Sequence, residues 1–256
     1  FLGYLSSRPK LMGYYDVTAT KMNTLTPNSQ DVISRLEGGL TITSYLNALD
    51  EQDIWTASPS RVKTDQVRFK QYVRFKPDIK LKYVYYYDTI QSLSQDQRFP
   101  NLNTEQRARE IMRIHGLDSS LFLSPGQIRE QIDLSGEKNM FVRLLERENG
   151  EKTFLRVFDD MQHHPGESEI TAAFKRIAME LPTVGFLVGH GERDIHRTGD
   201  REYSGFALEK RFRYALINQG FDILNVRLTD EVPDNIKILV IAEMKEPLTE
   251  TEEINL

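Results

Sequence analysis

His190 and Glu192 stand two residues apart in the run Thr183-Val184-Gly185-Phe186-Leu187-Val188-Gly189-His190-Gly191-Glu192-Arg193-Asp194. An imidazole beside a carboxylate is a pair that acid–base chemistry and metal ligation both use. Gly189 and Gly191 flank the histidine, so backbone amides there can approach an anion or a carbonyl. The apolar run ahead of them reads as a buried strand, and in open α/β sheets ligands bind beyond the carboxyl ends of strands. Gly189, His190, Gly191, Glu192, Arg193 and Asp194 are therefore the candidate ligand-binding residues. The same pattern also fits a plain strand-to-loop turn whose histidine caps nearby backbone. No nucleophile accompanies the pair: the chain has no cysteine and no Gly-x-Ser-x-Gly turn, so a covalent acyl intermediate is not expected and no catalytic residue is assigned. His196 and Asp200 extend the polar loop, but the spacing of the two histidines matches no zinc pattern. Neither a metal nor a cofactor is expected.

Other residues read more simply as structure. His163-His164-Pro165-Gly166 is a solvated turn. Tyr83, Tyr85, Tyr86 and Tyr87, with Phe69, Tyr72 and Phe75, are the aromatics that strands and cores favour, although outward tyrosines could serve a partner. Arg68, Lys70, Arg74, Lys76, Lys80 and Lys82 form a solvated face. Trp55, the single tryptophan, lies in a loop, either tucked on the core or anchoring an interface.

The elements that must position these residues follow from periodicity. Thr26-Pro27 opens a helix, a capping hydroxyl followed by proline at the first helical position, with Val32, Ile33 and Leu36 inward and Gly38-Gly39 ending it. Leu40–Leu46 and Ile79–Tyr87 read as strands, and Tyr14–Thr18 as an edge strand. Pro59–Phe75 reads as a helix with Val62, Val67, Phe69 and Tyr72/Val73 inward, and Thr104–His115 as another. Leu121–Leu123 is a short apolar run. Asn139–Arg147 and Lys152–Phe158 flank Asn149-Gly150, the strongest short hairpin signal. Glu167–Leu181 is a helix with Ile170, Phe174, Ile177 and Met179/Leu181 inward. Strands are then expected at Val184–Val188, Phe221–Val226 and Ile236–Ala242. The helix Arg201–Gln219 lies between the first two, with Phe206, Leu208, Phe212, Ala215 and Leu216 inward. Thr249 and Glu252 form a capping box for a last helix.

This order predicts an α/β protein in three parts. Residues 1–38 are a strand and helix lead-in. Residues 39–181 are a thioredoxin-like domain, a mixed sheet ending in a hairpin and closing helix, without the redox cysteines. Residues 182–256 are an incomplete flavodoxin-like, glutamine-amidotransferase-like unit with a parallel sheet, and Pro182 is the expected hinge. The length of 256 residues accommodates this, and 39% hydrophobic with 28% charged residues suits a soluble surface. Net charge is −5 with dispersed Lys and Arg, which gives nucleic acid no electrostatic footprint. No stretch approaches the length of a membrane span, and both ends read as cut from a longer chain.

Several segments resemble one family. They are Tyr15–Thr26, Leu36-Glu37-Gly38-Gly39-Leu40-Thr41-Ile42-Thr43, Gly189-His190-Gly191-Glu192 and the Tyr203/Leu208 segment. Val232-Pro233 before Ile238–Ala242, and Pro247-Leu248-Thr249 before an acidic helix, complete the set. The family is the auxiliary, substrate-binding-like component of ABC-type transport systems, which includes the gliding-motility-associated protein of Bacteroidetes-type bacteria. The likeness is strong at 14–46 and 183–253 and weak at 50–135. It implies a non-enzymatic, extracytoplasmic (periplasmic) domain, anchored to the inner membrane by helices outside this chain. It also implies ABC permease and ATPase subunits as partners, and a small-molecule, glycan or peptide ligand. The chain has no Gly-x-x-x-x-Gly-Lys-Ser/Thr loop, so it is not the motor. Two alternatives stand beside this reading. One is a hydrolase or lyase using His190 and Glu192 as acid and base. The other is a structural module contacting its partner through the tyrosines or Trp55.

Overall fold

Leu40–Asn47 (β1) is β-branched and apolar on both faces, and all but one of its residues are buried. That pattern belongs at the centre of a sheet. The computed structural model describes residues 16–19, 21 and 23–256 and places β1 there. Ahead of it, Pro27–Ser34 (α1) starts at Thr26, whose hydroxyl accepts from Ser29 N, with Val32 and Ile33 buried as expected. The edge strand expected at Tyr14–Thr18 falls partly outside the described residues, as do Tyr15, Thr20 and Met22 of the family-like segment. Asp16–Thr18 are not in a strand.

After β1 come Val62–Val67 (α2) and Lys70–Phe75 (α3). One continuous helix was expected here. Val62, Thr64 and Val67 are β-branched and weaken helix formation, and the chain tightens at the junction, where Phe69 N reaches back only to Gln66 O at 3.2 Å. Phe69 and Tyr72 face inward as expected, but Val67 is 65% exposed. Ile79–Tyr86 (β2) follows, then Leu93–Arg98 (α4) and Thr104–Ile114 (α5), the latter capped by Asn103 and Gln106. Phe122–Leu123 (β3), Pro125–Gln131 (α6), Val142–Arg147 (β4) and Lys152–Arg156 (β5) complete the sequence.

The five strands form one mixed sheet in the order β3-β2-β1-β4-β5. β1 runs parallel to β2, from Leu40 opposite Ile79 to Asn47 opposite Tyr86. It runs antiparallel to β4, from Leu40 opposite Arg147 to Tyr45 opposite Val142. Asn149-Gly150 turns β4 into β5, and Gly150 takes φ +89°, which the turn requires. One face carries an apolar cluster of Tyr45, Tyr86, Ile128, Leu134, Val142 and Leu144.

Between β4 and α2 the core holds an ion pair. Arg143 Nη2 donates to Asp65 Oδ1 at 2.6 Å, with both side chains wholly buried. Tyr83 donates its hydroxyl to Asp65 Oδ2 at 3.1 Å, and the Arg143 guanidinium lies 4.6 Å from the Phe141 ring centre and 5.5 Å from that of Phe69. Burial, then the Asp65 charge, push the Tyr83 phenol well above its ordinary value.

The chain divides into two compact units, Phe1–Phe154 and Leu155–Leu256, and Pro182 lies inside the second. That unit contains Glu167–Ala178 (α7), Thr183–Leu187 (β6), Ser204–Ala207 (α8), Asp222–Val226 (β7), Ile236–Val240 (β8) and Glu250–Asn255 (α9). Its three strands lie in the order β7-β6-β8, all parallel. β6 is buried throughout and sits at the centre. Val184, Phe186, Ile195 and Ala207 form the core on one face, with Ile223 and Val240 against it. Ile170, Phe174, Ile177 and Leu181 are buried as expected.

The helix expected over Arg201–Gln219 is reduced to α8 and a 3₁₀ turn at Leu216–Asn218. Side chains there take the backbone partners that a helix needs. Asn218 Nδ2 donates to the carbonyls of Glu209, Lys210 and Phe212 at 3.3, 3.2 and 2.9 Å. Arg213, 4% exposed, pins the segment from the other side. Its fork meets Asp160 at 2.7 and 2.9 Å and Glu169 at 2.7 Å, over the Phe158 ring. The Arg213 hydrogen bond holds the Asp160 carboxyl down at about 2. Phe206 and Phe212, expected inward, are 49% and 44% exposed. No helix among the described residues is long and apolar enough to cross a membrane.

Candidate functional site

The carboxyl ends of β6 and β8 lead into the loops 188–194 and 241–249. In a parallel sheet of this order, the central strand and the strand that follows the reversal diverge there, which opens the crevice that ligands commonly use. Here the two loops close on each other. Gly189 and Gly191 take φ +132° and +80°, and a side chain at Gly191 would start 3.1 Å from Lys245 Cδ. Glycine at 191 therefore serves both the turn and the close approach of the second loop. His190 O accepts from Lys245 N at 2.8 Å and from Glu246 N at 3.1 Å. Arg193 N donates to Ala242 O at 3.2 Å, and the Arg193 guanidinium pairs with Glu243 at 2.7 Å and lies over the Tyr203 ring.

His190 is buried in this junction. Its Nδ1 lies 3.1 Å from Glu192 Oε1, and its Nε2 lies 3.1 Å from Glu252 Oε1. Glu192 Oε2 also accepts from His190 N at 2.7 Å, so one carboxylate holds both the ring and the backbone of the histidine. The Glu192 side chain is 1% exposed, that of Glu252 24%. The imidazole thus ties the 188–194 loop to the last helix, and the arrangement works as a latch between the two loops.

Glu252 was read from sequence only as half of a capping box. The structure gives it both tasks. Its Oε2 accepts from Thr249 N and from the Thr249 hydroxyl, each at 2.8 Å, while Oε1 faces the imidazole. The Thr249 backbone bond, then its hydroxyl, and then His190 hold the Glu252 carboxyl below its ordinary value. No periodicity links residues so far apart, and only the packing of the two loops brings them together.

Asp194 faces its own loop, accepting from His196 N at 2.7 Å, while Asp194 N donates to Glu202. His196 and Asp200 are exposed and take no part in the latch. Among the described residues, no group of three or more His, Asp or Glu side chains is placed to hold a metal ion. His163 binds Phe158 O through Nδ1 at 2.8 Å. Trp55, in a loop, meets the His115 ring edge-on at 4.8 Å and is 38% exposed.

The first unit closes the carboxyl ends of its parallel strands differently. Asn47, wholly buried at the end of β1, donates from Nδ2 to Asp88 O at 2.8 Å and Asn139 O at 2.9 Å. Its Oδ1 accepts from Leu49 N at 3.0 Å and Asp88 N at 3.2 Å. Asp88 in turn takes both arms of Arg129, at 2.8 and 2.6 Å. Every donor and acceptor of the Asn47 amide is used within the protein.

No family model, curated protein or solved structure matches this chain.

Proposed function

We propose that this chain is a non-enzymatic, extracytoplasmic binding domain of the auxiliary component of an ABC-type transport system, working with permease and ATPase subunits. The observation that carries this reading is the His190 ring held at both nitrogens by Glu192 and Glu252. It occupies the crevice where open parallel sheets receive ligands, and both of its ring nitrogens are engaged within the protein. Glu252 sits on a six-residue helix, so an acidic group of a partner or ligand can exchange with it at Nε2 without disturbing β6. The family-like segments at Gly189–Glu192 and Pro247–Thr249 are the two halves of this junction, which gives their joint occurrence a physical reason.

Two finer assignments belong to the same reading. The order β2-β1-β4-β5, two parallel strands followed by a hairpin, supports a thioredoxin-like first unit with β3 added at its edge and no redox cysteines. The order β7-β6-β8 is that of the first three strands of a flavodoxin-like sheet, which supports that assignment for the second unit.

The cysteine-free chain provides a clean test. His196→Cys places a single thiol on the exposed loop beside the junction, and a photoreactive maleimide there reports neighbours in the intact transport complex. A light-dependent adduct with the permease is expected. A complex that transports normally with the probe attached and yields no permease adduct would overturn the reading. Ester or peptide turnover that disappears in His190→Ala would establish the hydrolase alternative in its place.

A further inference from the structure

β2 is paired with β1 along its full length on one edge, but on the other edge it is paired only at its end. β3 is two residues long and meets β2 only at Tyr85 and Tyr86. Ile79–Val84 therefore has β1 on one side and, among the described residues, no strand on the other. The backbone direction is fixed by two bonds. Tyr86 O accepts from Ala48 N on the β1 side, and Tyr87 N donates to Leu123 O on the β3 side. Backbone groups alternate in direction along a strand. The N–H and C=O of Leu81 and Tyr83 thus point out of the open edge.

A groove of about 460 Å³ lies beside this edge, lined by Lys63, Gln66, Val67, Lys70, Val73, Ile79 and Leu81. Its floor is apolar: Val67, Val73, Ile79 and Leu81. Tyr83 reaches Asp65 of α2, which puts the odd-numbered residues of β2 on the helix side, with the groove. Lys80 and Lys82 project from the opposite face and are exposed. Four lysines therefore border the edge, Lys63 and Lys70 on the groove face and Lys80 and Lys82 on the other. None has a carboxylate partner among the described residues. Lysines on an edge strand discourage pairing with a like-charged edge. That argues against a second copy of this chain and leaves an acidic strand as the acceptable neighbour.

We infer that the open edge of β2 binds an extended acidic–apolar segment of a partner protein. The segment adds as a strand at Leu81 and Tyr83, puts alternate apolar side chains into the groove and presents acidic ones to the lysines. In this mode main-chain bonds provide affinity, and alternate side chains provide specificity. The site belongs to the first unit, and the His190 junction to the second.

The test uses the whole chain and a capped octapeptide alternating Glu and Val, with the corresponding Lys-Val peptide and a proline-interrupted Glu-Val peptide as controls. Saturable binding is expected for the Glu-Val peptide alone. Amide hydrogen exchange at Leu81 and Tyr83 should slow at least about tenfold at saturation, since each amide gains a strand partner. Lys80→Glu with Lys82→Glu should weaken binding about tenfold by reversing two cross-strand charge pairs. Val67→Asp, at an exposed position that leaves folding intact, should weaken it by spoiling the groove. Unchanged exchange at both amides with 1 mM peptide would overturn the inference. So would equal binding of either control peptide, or protection of the same amides by self-association of the free chain.

Discussion

Asn47 and His190 do the same job in two different chemistries. Each is a buried polar side chain at the carboxyl end of the central parallel strand of its sheet, and each ties together the loops that leave that edge. Asn47 does so with a neutral amide whose four hydrogen bonds go to backbone groups. His190 does so with a ring whose two nitrogens face carboxylates, one of them partly exposed on a short helix. A neutral amide between peptide groups has no titrating partner and nothing to exchange with. An imidazole between carboxylates can trade one of them for another anion. The first unit thus closes its edge with bonds to backbone groups and the second with bonds to side-chain carboxylates.

Breaking the Asn47 bonds should cost most. Asn47→Ala leaves the Asp88 carbonyl and the Leu49 and Asp88 amides without their Asn47 partner in a buried site, while the Asn139 carbonyl keeps the Tyr86 hydroxyl. Stranded buried groups of this kind cost about 1–3 kcal/mol each, and partial relaxation brings the expected loss to roughly 3–5 kcal/mol. Urea unfolding should show this loss, and it should be constant from about pH 5 to pH 8 because the amide does not titrate. A loss that varies strongly over that range would mean that a titrating group shares the Asn47 site. His190→Ala should cost less, about 2–3 kcal/mol, because Glu192 keeps its bond to the backbone N–H of residue 190. Unfolding should register this loss with hydrogen exchange accelerated first in α9 and the 241–249 loop. Acceleration spread evenly over β6 and β7 would mean that the histidine supports the sheet rather than latching a loop.

Glu252→Gln should have the smallest effect and the clearest pH signature. The folded carboxyl is held below its ordinary value of 4.5. Its contribution is therefore fully present above that value and is lost as pH falls through the lower, folded value. Wild type and Glu252→Gln should differ in stability at pH 7 and converge as the pH falls below 4.5. Parallel curves across this range would remove Glu252 from the latch.

Much of the fold was legible because it rests on local periodicity. β1, β2, the Asn149-Gly150 hairpin, α5, α7 and β6 lie where alternation, caps and apolar spacing put them. The Pro59–Phe75 helix broke at its β-branched residues, a local cause; the larger failure was not local. The Arg201–Gln219 segment has a helical apolar pattern, but Asn218 and Arg213 capture its backbone and its path through contacts with Asp160 and Glu169 that no local window contains. The site was half legible for the same reason. Gly189–Glu192 announced itself through residue types at short spacing. Glu252, which completes the latch, carried only a capping signature, since its second partner is 62 residues away.

The Arg143–Asp65 pair has a consequence for uniqueness. An apolar helix face can slide over an apolar sheet at little cost, since one methyl contact replaces another. A slide of α2 by a single turn, about 5.4 Å, would leave the Arg143 guanidinium facing no carboxylate between two phenylalanine rings. The pair works as a key in a keyway: it penalises wrong alignments more than it stabilises the right one. Replacing Arg143 with methionine and Asp65 with leucine, together with Tyr83→Phe so that no hydroxyl is stranded, should leave the unfolding free energy nearly unchanged. Backbone resonances of α2 should be broader in that variant than in the wild type as alternative seatings of the helix become accessible.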